Sequence, residues 1–313
     1  MTTVVSSGQH VTITKGHTSK GLELKGGQLI VSSGGTAIGT VILTGEELVS
    51  RGGKSSQSQI SGGSQIVFSG GIASGAIVSV RGTETVSSGG TSIATTVKKG
   101  GTETVDAKGI ASGTIVSNGG VLVDHAGATV SGLSVLKGGT VDLAGSTFNG
   151  TVAAGGMEAV TAGTITGQTI GAGVSLIVSA GATAKSTTLG TGATEIVEVG
   201  GTVAGTTKMG AKSTLDIMVA TNNTSLTVSG FGGNTIELAG FTNSQPSFQY
   251  APAVGGAPGG VLTITAAGRT ASIQLFGQYV AAGFHVTGVQ QNIMVTYTPP
   301  SAHVPTDIAA GHH

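Results

Sequence analysis

The chain has 313 residues, including 57 glycines and only 6 prolines without a Gly-X-Y period, so a collagen triple helix is excluded. Charged residues make up 9% of the chain, the net charge is zero and the mean hydropathy is +0.32, which excludes a charge-rich disordered chain. The absence of a basic cluster argues against nucleic acid as a partner, and the absence of cysteine excludes disulfides and thiolate chemistry.

The first ten residues lack the basic region and the apolar run of a signal peptide. No window approaches about 18 consecutive apolar residues, so we expect no membrane-spanning helix. We therefore expect that any export of the chain does not use a cleaved N-terminal signal.

Aliphatic residues recur along the chain from near its N-terminus with a regular period of about 18–19 residues, and most are followed three residues later by a glycine. A fixed period of about 20 residues is typical of a solenoid, in which each repeat forms one coil. We expect the recurring residues to point inward and to stack along the axis: Ile13, Val31, Val49, Val67, Val86, Val105, Val123, Val141, Val160, Val178, Val197 and Leu215. Because the repeat begins so early, no segment that could cap the first coil is evident.

A second aliphatic column precedes a second series of glycines, which divides each coil into short segments. These segments are rich in Val, Ile and Thr, as in Thr83–Val86 and Thr102–Val105, and those residues favour strands, while glycine suits the corners. The second column comprises Ile42, Ile60, Val78, Val97, Val116, Val135, Val152, Ile170 and Leu189. The predicted fold class is all-β, a parallel β-helix (β-solenoid) of about twelve coils, each of about 18–19 residues, with a C-terminal β cap.

The composition changes near residue 219, beyond which all six prolines lie. Most aromatic residues also lie there, and we expect them to supply the bulk that closes an open core. The segments 261–265 and 271–276 alternate as strands, separated by a short turn, and 251–260 has the composition of a loop. We predict two units, a solenoid domain over 1–218 and a C-terminal β cap or assembly unit over 219–313.

The repeat unit Ser87-Ser-Gly-Gly-Thr-Ser-Ile-Ala-Thr-Thr-Val-Lys-Lys-Gly-Gly-Thr-Glu-Thr-Val resembles the AIDA-type repeats of bacterial autotransporter adhesin passengers. The resemblance covers roughly residues 4–218, and residues 261–286 resemble a closing segment of such proteins. It implies a parallel β-solenoid at the cell surface, with a role in adhesion or aggregation. It also implies that repeat Ser or Thr residues are glycosylated in some members.

Three aspartates are the candidates for cation binding. Asp106, Asp124 and Asp142 each follow a residue of the first aliphatic column and recur with its period, so we expect them to stack about 5 Å apart. Stacked carboxylates could bind Ca²⁺ or form the acid pair of a glycosidase. Ser and Thr at equivalent positions of other coils favour a solvated outward face instead. We predict no catalytic residue and no cofactor.

Glu84 and Glu103 occupy equivalent strands close to Lys98 and Lys99. We interpret them as partners in surface ion pairs between coils, each contributing at most about 1 kcal/mol.

These observations favour a structural protein that is not an enzyme and that assembles with copies of itself, end to end or laterally, into fibres or a scaffold. Low charge removes the repulsion that would oppose such stacking. A monomeric adhesin that binds glycans or neighbouring cells is the first alternative, although only Phe68 and Phe148 could supply an aromatic face within residues 1–218. A cytoplasmic filament-forming scaffold is the second alternative, and a polysaccharide-active β-helix enzyme is the least favoured. The expected location is the cell surface or the extracellular matrix.

Overall fold

The structure, a computed structural model, describes residues 3–145, 150–218, 223–241 and 245–300. Its strands stack in parallel into a β-solenoid of about 12 turns of roughly 19 residues. The predicted fold class is therefore confirmed. Phe148, Pro305 and the boundary at residue 219 lie outside the described residues.

The strands are short and follow one another at glycine-rich corners. In chain order, the strands that form the coils are β1 (Val4–Ser6), β2 (His10–Ile13), β3 (Thr18–Lys20), β4 (Glu23–Val31), β5 (Thr36–Ile38), β6 (Val41–Val49), β7 (Lys54–Ser56), β8 (Gln59–Ser61), β9 (Ser64–Val67), β10 (Ile72–Ser74), β11 (Ile77–Ser79), β12 (Thr83–Val86), β13 (Thr91–Ile93), β14 (Thr96–Val97), β15 (Thr102–Val105), β16 (Ile110–Ser112), β17 (Ile115–Val116), β18 (Val121–Asp124), β19 (Thr129–Ser131), β20 (Leu133–Val135), β21 (Thr140–Asp142), β22 (Gly150–Val152), β23 (Met157–Val160), β24 (Thr164–Thr166), β25 (Thr169–Ile170), β26 (Ser175–Val178), β27 (Thr183–Lys185), β28 (Thr188–Leu189), β29 (Thr194–Val197), β30 (Thr202–Ala204), β31 (Thr206–Met209), β32 (Thr214–Met218), β33 (Asn223–Ser229) and β34 (Thr235–Ala239).

Each typical coil contributes one strand to each of three faces. Face A contains β3, β5, β7, β10, β13, β16 and β19, and continues separately as β24, β27 and β30. Face B contains strands such as β8, β11, β14 and β17, and face C contains strands such as β9, β12, β15 and β18. In β4 and β6 a single long strand runs through both face B and face C.

The inward side chains form the stacked columns that the sequence predicts. The first column is buried and in register from Ile13 to Val105, and again from Val160 to Val197. The second column lies on face B and is buried except at Val152, which is half-buried. These two columns, together with small inward residues on face A, fill the narrow core.

Three members of the first column were assigned wrongly. Strand β18 is offset relative to β15, so that Asp124 lies beside Val105 and Val123 turns outward. Val141 and Leu215 are buried, but they belong to a neighbouring inward column on the same face. The physical reason is that coil length varies, so the nearest aliphatic residue is not always the one that the strand pairing places inward.

The Gly-Gly corners serve two different purposes. At Gly70–Gly71, the first glycine has a φ of 73°, and a Cβ on the second would collide with the carbonyl oxygen of Val49 on the preceding coil. At the equivalent corner Lys108 adopts a φ of 66° in place of the first glycine, whereas Gly109 keeps the tight approach to Val86. Close stacking of coils therefore depends on the second glycine more than on the first.

The C-terminal part contains β35 (Ser247–Pro252), β36 (Gly260–Ala266), β37 (Arg269–Phe276), β38 (Phe284–Val289) and β39 (Asn292–Tyr297), with short 3-10 helices at Val254–Gly256 and Ala281–Gly283. The predicted pair of strands is present as the antiparallel hairpin β36–β37. Parallel stacking continues through β33 and β34, and then the antiparallel strand β39 covers β34. The division of the chain at residue 218, and the capping role, remain predictions.

Candidate functional surfaces and the polar core

The three candidate aspartates do not form the expected column. Because β18 is offset, Asp124 lies opposite Val105 and is only 5% exposed, whereas Asp142 lies opposite Val123. Asp106 instead contacts His125 of the next coil at 3.2 Å, between the carboxylate Oδ1 and the ring Nδ1. The expected in-register stack is therefore wrong. Cation binding by these residues remains a prediction without its geometric basis.

Asp142 has local partners of its own. Its carboxylate accepts hydrogen bonds from the Thr161 hydroxyl at 2.8 and 3.0 Å, and from the backbone N–H of Ala144 at 3.1 Å. Within the described ranges, no group of three or more His, Asp or Glu side chains is arranged to hold a metal ion. The aspartates of this region thus act as separate hydrogen-bonding groups.

A second column of inward side chains runs along face C, and most of its members are acidic or amide residues. In most coils it lies two residues before the first aliphatic column. We call it the glutamate column, and its members in register are Glu47, Gln65, Glu84, Glu103, Leu122, Val141, Glu158, Leu176, Glu195 and Leu215. All of them are buried. The interpretation of Glu84 and Glu103 as surface partners of Lys98 and Lys99 is therefore wrong, since both glutamates point into the core.

Glu47 is held by donors on every side. Its Oε1 accepts hydrogen bonds from Thr40 (3.3 Å) and Ser55 (2.9 Å), and its Oε2 accepts from Ser58 (2.9 Å) and Gln65 (2.7 Å). Burial raises the pKa of this carboxyl, and the hydrogen bonds from Ser58, Ser55, Gln65 and Thr40 oppose the rise. Four donors therefore satisfy both carboxylate oxygens of Glu47.

Glu84 and Glu103 have far fewer donors. Thr95 donates to Glu84 Oε2 at 2.8 Å and Ser92 donates to Glu103 Oε1 at 2.7 Å, while Glu84 Oε1 has no partner. Burial, and then the neighbouring Glu103 carboxylate, raise the pKa of Glu84 to about 8. Burial also raises the pKa of Glu103, and the hydrogen bonds from Ser92 and Thr114 oppose the rise. The protonated form is favoured here because charge is costly in an enclosed core.

Glu158 and Glu195 repeat this environment further along the chain. Gln168 donates to Glu158 at 3.0 Å, and Thr187 donates to Glu195 at 2.8 Å. Burial raises the pKa of each carboxyl to about 7, and the single hydrogen bond lowers it in part. The core of the solenoid therefore contains carboxyl groups whose protonation is tuned toward neutral pH.

The sequence did contain a signal for this column. In Thr83–Val86 and Thr102–Val105 the glutamate stands two residues before an inward valine. Side chains alternate along a strand, so residues two apart share a face. The charge of glutamate favoured an outward assignment, which overrode the alternation.

The outer surface of face A is unusually free of charge. Its strands β10, β13, β16 and β19 present a region that we call the Thr/Ile patch, composed of Ile72, Ser74, Thr91, Ile93, Ile110, Ser112, Thr129 and Ser131. The three isoleucines are 37–43% exposed. On the described part of face A, the lysines stand in other strands, at Lys20 in β3, Lys54 in β7 and Lys185 in β27.

In the described part of the chain, no helix has the length and apolarity needed to cross a membrane.

No protein-family model matches the sequence, and no curated protein matches it. Among solved structures, the chain is similar to the crystal structure of the TibC-catalysed hyper-glycosylated TibA55-350 fragment. The two share 29% identity with a TM-score of 0.55, over 74% of this chain and 91% of that chain. This neighbour is an adhesin-like β-solenoid passenger fragment and not an enzyme.

Proposed function

We propose that this chain is a non-catalytic structural β-solenoid of the cell surface or the extracellular matrix, and that copies of it associate laterally through the Thr/Ile patch. The observation that carries this proposal is the run of four adjacent parallel strands whose outward side chains are only Ile, Ser and Thr. The similarity to an adhesin-like passenger fragment supports the surface location.

The physical chemistry of the patch favours contact with a second flat sheet. Isoleucine and threonine are stiff at χ1, so little side-chain freedom is lost when they are covered. No charge has to be desolvated, and exposed aliphatic surface contributes about 25 cal/mol per Å² when buried. One patch is smaller than the roughly 1,000 Å² of a stable interface, so we expect weak pairwise contacts that become effective when many rods align.

Sedimentation velocity and negative-stain microscopy of the purified chain test this proposal. We expect the wild type to form concentration-dependent lateral assemblies, and the double variant Ile72→Lys/Ile110→Lys to remain monomeric. The matched control is Val80→Lys/Leu136→Lys, which adds the same charge at two exposed aliphatic residues outside the patch. Monomeric wild-type rods at all concentrations, or equal assembly of both variants, would overturn it. End-to-end fibres that both variants still form would show that the chain ends, and not the patch, carry assembly.

The location needs a test of its own. Protease treatment of intact cells, followed by detection of the chain, separates a surface protein from a cytoplasmic scaffold. We expect digestion of the chain while a cytoplasmic marker stays intact. Full protection until the cells are lysed would contradict the surface location.

A second candidate function is that of a glycosylated adhesin. It is favoured by the outward hydroxyls on face C, such as Thr83, Thr85, Thr102 and Thr104, together with the similarity to a hyper-glycosylated fragment. Co-expression with TibC and intact-mass measurement test it. A ladder of added sugar masses, accompanied by cell aggregation, supports this function, and an unchanged mass removes it.

A further inference from the structure

Glu84 and Glu103 are directly opposite each other on adjacent parallel strands, β12 and β15. Both side chains are fully buried, at 0% exposure. Neighbouring strands lie about 4.8 Å apart, so the two carboxyl groups belong to consecutive coils of the same enclosed core. This juxtaposition is independent of the outer surfaces discussed above.

The groups packed around this pair supply no positive charge. Gln65 and Leu122 lie above and below it in the glutamate column, and Ser92, Thr95 and Thr114 contribute hydroxyls from the other two faces. The remaining titratable group that acts on the pair is Glu47, two positions away in the same column. Among the residues that the structure describes, no lysine, arginine or histidine is buried.

Two ionised carboxylates at this separation, without a cation, would repel each other strongly in a buried core of low dielectric constant. Glu84 Oε1 also has no hydrogen-bond partner, although buried polar atoms are normally paired. A proton on either carboxyl removes one negative charge. It also converts an acceptor into a donor that can serve the opposite carboxyl.

We propose that Glu84 and Glu103 form a buried proton-binding site, in which a carboxylic acid on one coil donates a hydrogen bond to the carboxyl group of the next. The proton is taken up from solvent when the chain folds and is released when the site opens. The site makes the cohesion of these coils dependent on pH. It stabilises the rod in acidic and neutral surroundings and weakens it in alkaline ones.

The direction of this dependence follows from linkage. The pKa of Glu84 is about 8 in the folded chain against an ordinary value of 4.5, so the folded state binds more protons than the unfolded state between these values. The associated stability is fully present below pH 4.5, falls as the pH rises, and is lost above about pH 8. For each proton concerned, the folding equilibrium constant falls by up to about tenfold per pH unit.

Infrared spectroscopy and urea denaturation of the intact chain, followed from about pH 6 to about pH 10, test the site. We expect the wild type to show a protonated-carboxyl carbonyl band that is reduced in Glu84→Gln/Glu103→Gln. We also expect the folding equilibrium constant of this variant to vary less with pH. The matched control is Glu198→Gln, an exposed glutamate, which should behave as wild type. Equal bands and equal pH slopes in all three proteins would overturn the proposal.

A wild-type measurement keeps the test valid if the double variant does not fold. In the chain labelled with carbon-13 at the glutamate carboxyls, NMR titration should resolve two carboxyls that titrate together, in addition to the separately titrating buried carboxyls of Glu47, Glu158 and Glu195. Ionisation of every glutamate at about pH 6 would overturn the proposal. The single variant Glu84→Gln, whose amide can donate permanently to Glu103, should lose the shared titration while it keeps the fold.

Discussion

Two regions of the molecule fill their cores in different ways. Between Glu47 and Glu103 the core contains glutamates, a glutamine and small hydroxyl residues, linked by hydrogen bonds. Beyond β34 it is filled by a cluster of aromatic rings around Phe284, whose centroid lies 5.0 Å from those of Tyr250 and Tyr297. The first region is built from repeating parallel coils, whereas the second contains antiparallel strands packed around large rings.

The polar groups of the two regions differ accordingly. In the C-terminal cluster the tyrosine hydroxyls accept hydrogen bonds from backbone N–H groups, from Phe231 to Tyr279 (3.0 Å) and from Val280 to Tyr297 (3.3 Å). Burial raises the pKa of Tyr279 above the ordinary value of a tyrosine, so this hydroxyl stays uncharged over the physiological pH range. In the solenoid the polar groups are carboxyls. The comparison teaches that a stacked core can hold carboxyl groups where hydroxyls donate hydrogen bonds to them and burial raises their pKa, which favours the neutral form.

The largest expected effect lies in the aromatic cluster. Phe284 is 5% exposed and contacts five other rings, so Phe284→Ala should lower the free energy of unfolding by about 3–5 kcal/mol. Hydrogen exchange should locate the loss in β33–β39 and leave the early coils protected. Phe276→Ala, at a ring that is 48% exposed, is the control. An equal loss in both variants would contradict a distinct aromatic core.

The second prediction concerns how the stability of the solenoid depends on pH. The folded-state pKa of Glu195 is about 7 against an ordinary 4.5, a difference that corresponds to about 3 kcal/mol. Because the folded state binds the extra proton, this stability is present below pH 4.5 and is lost as the pH rises through about 7. Urea denaturation at several pH values should show the decline in the wild type and a weaker one in Glu195→Gln. An equal decline of stability with pH in the wild type and in Glu195→Gln would contradict this prediction.

The third prediction separates the two kinds of buried glutamate. Glu47→Leu removes the acceptor of four donors and should cost about 2 kcal/mol. The cost arises because Thr40 then has no acceptor. The bonds that remain among Ser55, Ser58 and Gln65 also do not use every buried donor. Glu195→Leu removes the acceptor of Thr187 and places leucine between Leu176 and Leu215, so we expect a change of less than about 1 kcal/mol. Chemical denaturation near neutral pH measures both. A larger cost at Glu195 than at Glu47 would refute the distinction.

The smallest effect is expected at a corner. Lys108 has a φ of 66°, a conformation that costs a residue with a side chain about 1 kcal/mol, so Lys108→Gly should raise the free energy of unfolding by about 0.5–1 kcal/mol. Lys137→Gly, at a corner where the following Gly138 has the positive φ, should instead lower it. Thermal unfolding compares the two. A stabilised Lys137→Gly would indicate that the backbone conformation is not the cause.

The sequence predicted the solenoid, most of the first aliphatic column and the terminal hairpin, because these depend on a period and on strand alternation. It did not predict the offset at β18, where Val121 and Val123 are as apolar as the inward Leu122. Because apolar and polar residues do not alternate in β18, its sequence does not show which side chains point inward. The length of the preceding corner decides the register. The buried glutamates were missed for a different reason. Their stabilisation comes from hydroxyls about 8–11 residues away along the chain, a relation visible only once the coil is closed.

Lateral association is tested most directly by crosslinking, because the chain has no cysteine of its own. Thr91→Cys places a single thiol at the centre of the Thr/Ile patch, and Thr85→Cys places one on face C at similar burial. With a short bis-maleimide, we predict crosslinked dimers of Thr91→Cys at concentrations where Thr85→Cys stays monomeric. Equal crosslinking at both positions, or none at Thr91→Cys, would contradict association through face A.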